Sequence, residues 1–77
     1  MSVIIYSTPS CTYCKMAKQY FAENNVAFVE KDVASDQLAL EEMLKKSGQM
    51  GVPVIDVNGS IVIGYDREEL AKLLSLK

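Results

Sequence analysis

Two cysteines, Cys11 and Cys14, stand three positions apart in this chain; they are its only cysteines, and it has no histidine. A disulfide between them closes so small a loop that it removes little chain entropy, which makes a purely structural cross-link a poor explanation. The spacing suits chemistry instead. Where a helix starts at the pair, the first thiol meets free N–H groups and the positive end of the helix dipole. Such a site lowers a thiol pKa from about 8.5 to roughly 3.5–7.5 and supplies the reactive thiolate at neutral pH. The second thiol is close enough to attack a mixed disulfide formed at the first. Cys14 also shares a helical face with Ala17 and Phe21, so it is expected to be the more buried. Cys11 is therefore the expected nucleophile and Cys14 the resolving thiol.

Other uses of the pair fit the residues less well. A structural zinc site takes four Cys or His ligands, and a single copy supplies two, so zinc would need a dimer. A cysteine hydrolase needs a partner base, usually His. A metallochaperone also places C-x-x-C at a strand–helix junction, but with the order βαββαβ and a Met two residues before the first Cys. Here that position is Pro9.

The elements that must hold the pair can be read around it. Val3 to Tyr6 is an apolar run typical of a buried strand, and Thr8-Pro9-Ser10 breaks it. Ser10 is the expected N-cap of a helix from about Cys11 to Glu23, with Tyr13, Met16, Ala17, Tyr20 and Phe21 at helical spacing. Asn24-Asn25 stops it, since Asn tolerates the left-handed conformation. Val26 to Glu30 reads as a second strand. Ser35 can cap a helix carrying Leu38, Leu40, Met43 and Leu44, with Gly48 at its end. Val54–Val57 and Ser60–Ile63 flank Asn58-Gly59, a strong signal for a two-residue hairpin. Asp66-Arg67-Glu68-Glu69 opens a last helix with Leu70, Leu73 and Leu74 on one face. The order βαβαββα requires a parallel pair joined by a right-handed crossover and an antiparallel hairpin. One mixed four-stranded sheet flanked by three helices satisfies both, an α/β sandwich with the cysteines at the carboxyl end of its first strand.

Charge placement points back to the pair. The second and third helices put acids first (Asp36; Asp66, Glu68, Glu69) and lysines last (Lys45, Lys46; Lys72, Lys77). The first helix reverses this, with Lys15 and Lys18 early, on the face of Cys11, and Glu23 late. An anion at that helix start, thiolate or substrate, accounts for the inversion. Two solvated lysines account for it equally well. Seventy-seven residues, 49% of them hydrophobic, make one domain, 1–77. The net charge of −2 with dispersed lysines gives no footprint for nucleic acid. No apolar run is long enough to span a membrane, and the start Met1-Ser2-Val3-Ile4-Ile5-Tyr6 lacks a basic signal-peptide region. The expected setting is the cytoplasm, where thiols are kept reduced.

Ser10-Cys11-Thr12-Tyr13-Cys14-Lys15, Gly51-Val52-Pro53-Val54 and Gly64-Tyr65-Asp66, in this order, resemble the three motif blocks of glutaredoxins. The resemblance covers the whole chain. It implies a thioredoxin fold of the glutaredoxin type, no bound cofactor or metal, and glutathione as co-substrate in reducing disulfide-bearing or glutathionylated proteins. It further implies that Val52 offers backbone groups to glutathione, that Pro53 is cis, and that Gly64, Tyr65 and Asp66 hold the γ-glutamyl end. Tyr13 would shield the thiolate, its alternative being a core aromatic, and Lys15 would stabilise the thiolate. The chain departs from the family pattern at Thr8, Thr12, Gln49, Gly51, Ile63 and Arg67. Gln49 and Arg67 are the expected replacements for lost contacts to glutathione. The same departures resemble small bacterial redoxins that are recharged by thioredoxin reductase and serve ribonucleotide reductase, which leaves the electron donor open.

Overall fold

The computed structural model describes residues 2–76; Met1, and the Lys77 counted above among the closing lysines, lie outside the described residues. The chain forms β1 (Val3–Ser7), α1 (Thr12–Glu23), β2 (Val29–Asp32), α2 (Gln37–Ser47), β3 (Val54–Val57), β4 (Ser60–Ile63) and α3 (Arg67–Leu73). The sheet order is β2-β1-β3-β4. β1 and β2 are parallel, with Ile5 opposite Glu30, and α1 is their crossover. β3 runs antiparallel to both β1 and β4. The β3–β4 hairpin turns on Asn58 (φ 51°) and Gly59 (φ 93°), two adjacent left-handed residues that match the twist of the flanking strands.

Alternation along β1 sorts the core into two layers. Val3 and Ile5 join Ile55, Val57 and Val62 beneath Ala17, Tyr20 and Phe21 of α1 and Leu70 of α3. Tyr6 and Val54 face the other way and pack with Val33 and with Ala39 and Met43 of α2. That second face also carries charge. The Tyr6 hydroxyl donates to Glu42 and accepts from Lys46 at 2.7 Å, and Lys46 reaches Asp56 at 2.7 Å. Lys31 of β2 bonds Glu42 at 3.0 Å. Tyr6 and Asp56 are both buried, so these bonds satisfy polar groups that would otherwise be costly.

Several boundaries differ from the sequence reading; β1 runs on to Ser7 and β2 to Asp32, and three further differences concern how elements begin. The N-cap of α1 is Cys11, not Ser10, and its Sγ accepts the Cys14 N–H at 3.1 Å. The N-cap of α2 is Asp36, whose carboxylate accepts from the N–H groups of Leu38 and Ala39; Ser35 donates to Asp32 instead. A carboxylate opposite the helix dipole is the stronger of the two caps. β2 starts at Val29 rather than Val26. Asn25 takes the left-handed conformation (φ 56°) and the Val26 N–H closes onto the Phe21 carbonyl at 2.8 Å. Val26 and Phe28 then pack against the core before pairing with β1 begins.

Candidate active site

β1 ends at Ser7, and a turn closed by the Cys11 N–H on the Thr8 carbonyl (3.3 Å) delivers the chain into α1. The crossover therefore places the helix start, and the cysteines with it, at the carboxyl edge of the sheet. Cys11 and Cys14 are joined by a disulfide, with their Cα atoms 5.2 Å apart. Cys14 has no exposed surface, whereas Cys11 is half-buried. An external thiolate can reach only Cys11 Sγ; attack there forms a new S–S bond and releases Cys14 as the leaving thiolate. In the reducing direction, a Cys11 thiolate attacking a substrate disulfide would expel one substrate thiolate and hold the other as a mixed disulfide, and attack of Cys14 on Cys11 Sγ would then expel that second thiolate. The first turn of α1 contains no acidic residue, so nothing there opposes a thiolate.

Of the two lysines in question, Lys18 is committed elsewhere. Its Nζ lies 2.8 Å from Glu30, which also accepts from the Ser7 hydroxyl at 2.7 Å. Lys18, then Ser7, hold the Glu30 carboxyl below its ordinary range. Lys15 has no carboxylate within 4.0 Å among the described residues. This Ser7–Glu30–Lys18 cluster links β1, β2 and α1.

Beside the pair opens a cleft of about 410 Å³ lined by Tyr13, Val52, Pro53, Ile63, Gly64, Tyr65 and Asp66. Three segments distant in sequence meet here. Tyr13 lies between the two cysteines in the chain and forms one wall. The Val52–Pro53 peptide is cis, and the Pro53 carbonyl accepts the Gly64 N–H at 2.8 Å, which ties the second and third segments together. Gly64 has φ 82°, a conformation that other residues adopt only under strain. The Asp66 side chain caps α3 by accepting the Glu69 N–H at 3.2 Å.

Tyr13 is 62% exposed and is not a core aromatic. Met16 is exposed as well. Gln49 and Arg67 lie outside the cleft lining. The Gln49 amide is turned onto its own loop, accepting the Gly51 N–H at 2.6 Å and donating to the Gly51 carbonyl at 3.0 Å. The Arg67 guanidinium stacks 5.4 Å from the centre of the Tyr20 ring. Ile63 is a cleft wall that sequence reading treated only as a departure; its position as the exposed last residue of β4 is the signal.

A buried thiol paired with an accessible one at a helix start, on a four-stranded mixed sheet with three helices, defines a thiol–disulfide oxidoreductase of the thioredoxin fold. The family model for glutaredoxin matches residues 3–62, and the chain belongs to the glutaredoxin family. It is 46% identical over 70 residues to a glutaredoxin-like 8.6 kDa protein of the rubredoxin operon in Clostridium pasteurianum, covering 91% of this chain and 93% of that one. The crystal structure of a thioredoxin-like protein, solved as a point mutant, superimposes with a TM-score of 0.93 at 30% identity, covering 99% of this chain and 97% of that one. NrdH-redoxin from Escherichia coli shares the fold at 22% identity, with a TM-score of 0.83 and 95% of each chain covered.

Proposed function

We propose that this protein reduces glutathione mixed disulfides and protein disulfides with glutathione as its electron donor, Cys11 attacking and Cys14 resolving. The observation that carries this reading is the cleft beside the disulfide. Its volume of about 410 Å³ falls in the range of roughly 300–1,000 Å³ usual for small-molecule sites. Tyr13 and Ile63 offer apolar walls, and Val52 makes no backbone hydrogen bond among the described residues, leaving an edge for an extended peptide. Within this reading Lys15 stabilises the Cys11 thiolate, and Val52, Pro53, Gly64, Tyr65 and Asp66 hold glutathione. The proposed setting is the cytoplasm.

One observation favours a second donor. The cleft lining contains no lysine or arginine, and the side-chain carboxylate of Asp66 is its only formal charge. The two carboxylates of glutathione therefore meet no side-chain cation in these walls, and only its ammonium finds an opposite charge, at Asp66. The structure of NrdH-redoxin was described as explaining a thioredoxin-like activity profile in a glutaredoxin-like protein. In this alternative, thioredoxin reductase recharges the pair, and ribonucleotide reductase is a candidate recipient. The test follows NADPH oxidation with glutathione plus glutathione reductase, and separately with thioredoxin reductase. Turnover in the first system supports the proposal; turnover only in the second overturns it.

A further inference from the structure

A second groove, of about 230 Å³, lies between α1 and the start of α3 and is lined by Met16, Gln19, Tyr20, Glu23, Tyr65 and Arg67. Tyr65 is a wall of both this groove and the cleft beside the disulfide, so the two are neighbours. The lining is mixed: Tyr65 meets the Tyr20 ring edge-on at 6.1 Å and Met16 is 43% exposed, beside the polar side chains of Gln19, Glu23 and Arg67. Arg67 is held over Tyr20 and has no carboxylate within 4.0 Å among the described residues. A guanidinium fixed by stacking presents its N–H fork with little ordering left to do.

We infer that this groove receives the polypeptide of a disulfide substrate beyond the reacting cysteine, and that Arg67 selects an acidic side chain there. The methylenes of a glutamate would cover Met16 and Tyr20 while its carboxylate meets Arg67. Glu23, on the opposite wall, is engaged by the Gln19 amide at 3.4 Å and disfavours acidic residues placed nearer to α1. The occupant is thus a protein segment with a glutamate a few residues from its disulfide cysteine. A small disulfide fills only the first cleft. This inference rests on the reductase chemistry proposed above but not on its donor.

The experiment therefore uses dithiothreitol as reductant. Substrates are cysteine peptides disulfide-linked to a chromogenic thiol, with Glu, Gln or Lys stepped through the second to fourth positions on either side of the cysteine. At one of these positions the Glu peptide should exceed the Lys peptide in kcat/KM by about two- to five-fold, the size expected of one partly solvated ion pair. The preference should shrink in high salt and reverse in Arg67→Glu. Equal rates for Glu and Lys peptides at every position, or a preference that Arg67→Glu leaves intact, would overturn the inference. Failure of the glutathione system alone would leave it standing.

Discussion

At the scale of single residues, the roles proposed for two chemically identical thiols rest on their difference in exposure. Cys11 caps α1 at the surface, while Cys14 is fully buried on the same helix. Cys11→Ser should abolish disulfide reduction. Cys14→Ser should leave the first attack intact and accumulate mixed disulfides with protein substrates, which mass spectrometry of trapped adducts would reveal. Faster alkylation of Cys14 than of Cys11 in the reduced protein at neutral pH would reverse the assignment. Electrostatics at the same position makes a second prediction. The Cys14 N–H points at Cys11 Sγ and Lys15 lies one turn on without a carboxylate partner among the described residues, whereas Lys18 is paired with Glu30. Lys15→Glu should therefore raise the thiolate pKa of Cys11, followed by ultraviolet absorbance against pH, and should do so more than Lys18→Glu. An unchanged titration would make Lys15 a solvated surface residue.

At the scale of elements, α2 is fastened to the sheet by ion pairs as well as by packing. Only Ala39 and Met43 of this helix are buried, and Leu38 is 76% exposed. Burial pushes the Lys46 ammonium down, but Asp56 and Tyr6 more than offset it, and the group is held above its ordinary range. Burial likewise raises Asp56, and Lys46 with the Gly59 N–H reverses this to leave the carboxyl lowered. Lys46→Met should strand the Asp56 carboxylate and lower stability by roughly 1–3 kcal/mol, measured as a shift in the urea midpoint by circular dichroism. The Lys46→Met, Asp56→Asn double variant should recover part of this loss, since the uncompensated charge is gone.

At the scale of the whole molecule, these groups set the pH range in which the fold persists. The Tyr6 hydroxyl, then Lys31, hold the Glu42 carboxyl at about 2, against an ordinary 4.5. Glu30 and Asp56 are also lowered. A depressed carboxyl contributes stability above its unfolded pKa that is lost as pH falls towards the folded value. Stability should therefore decline from about pH 5 towards pH 2. Tyr6, raised chiefly by burial, and Lys46, also raised, act in the opposite sense. Their contribution is present below about pH 10 and lost above it. Glu42→Gln should flatten the acid limb of a stability–pH curve and, because Glu42 also helps to raise Tyr6, soften the alkaline limb; an unaltered acid limb would place the titrating group elsewhere.

The sequence by itself determined the cysteine pair, the order βαβαββα, the hairpin at Asn58-Gly59 and the greater burial of Cys14. Each follows from short-range rules: spacing along one helix, a two-residue turn, alternation along a strand. Tertiary structure alone decided what depends on distant segments meeting. It closed the cleft by tying the Pro53 carbonyl to the Gly64 N–H, left Tyr13 exposed as a cleft wall, and paired Lys18 with Glu30 across the β1–β2 crossover. It also turned Gln49 onto its own loop and laid Arg67 over Tyr20, outside the cleft for which their sequence positions suggested them. Local pattern places a backbone segment, but long polar side chains go wherever the assembled fold offers a partner, and that choice is not written at short range.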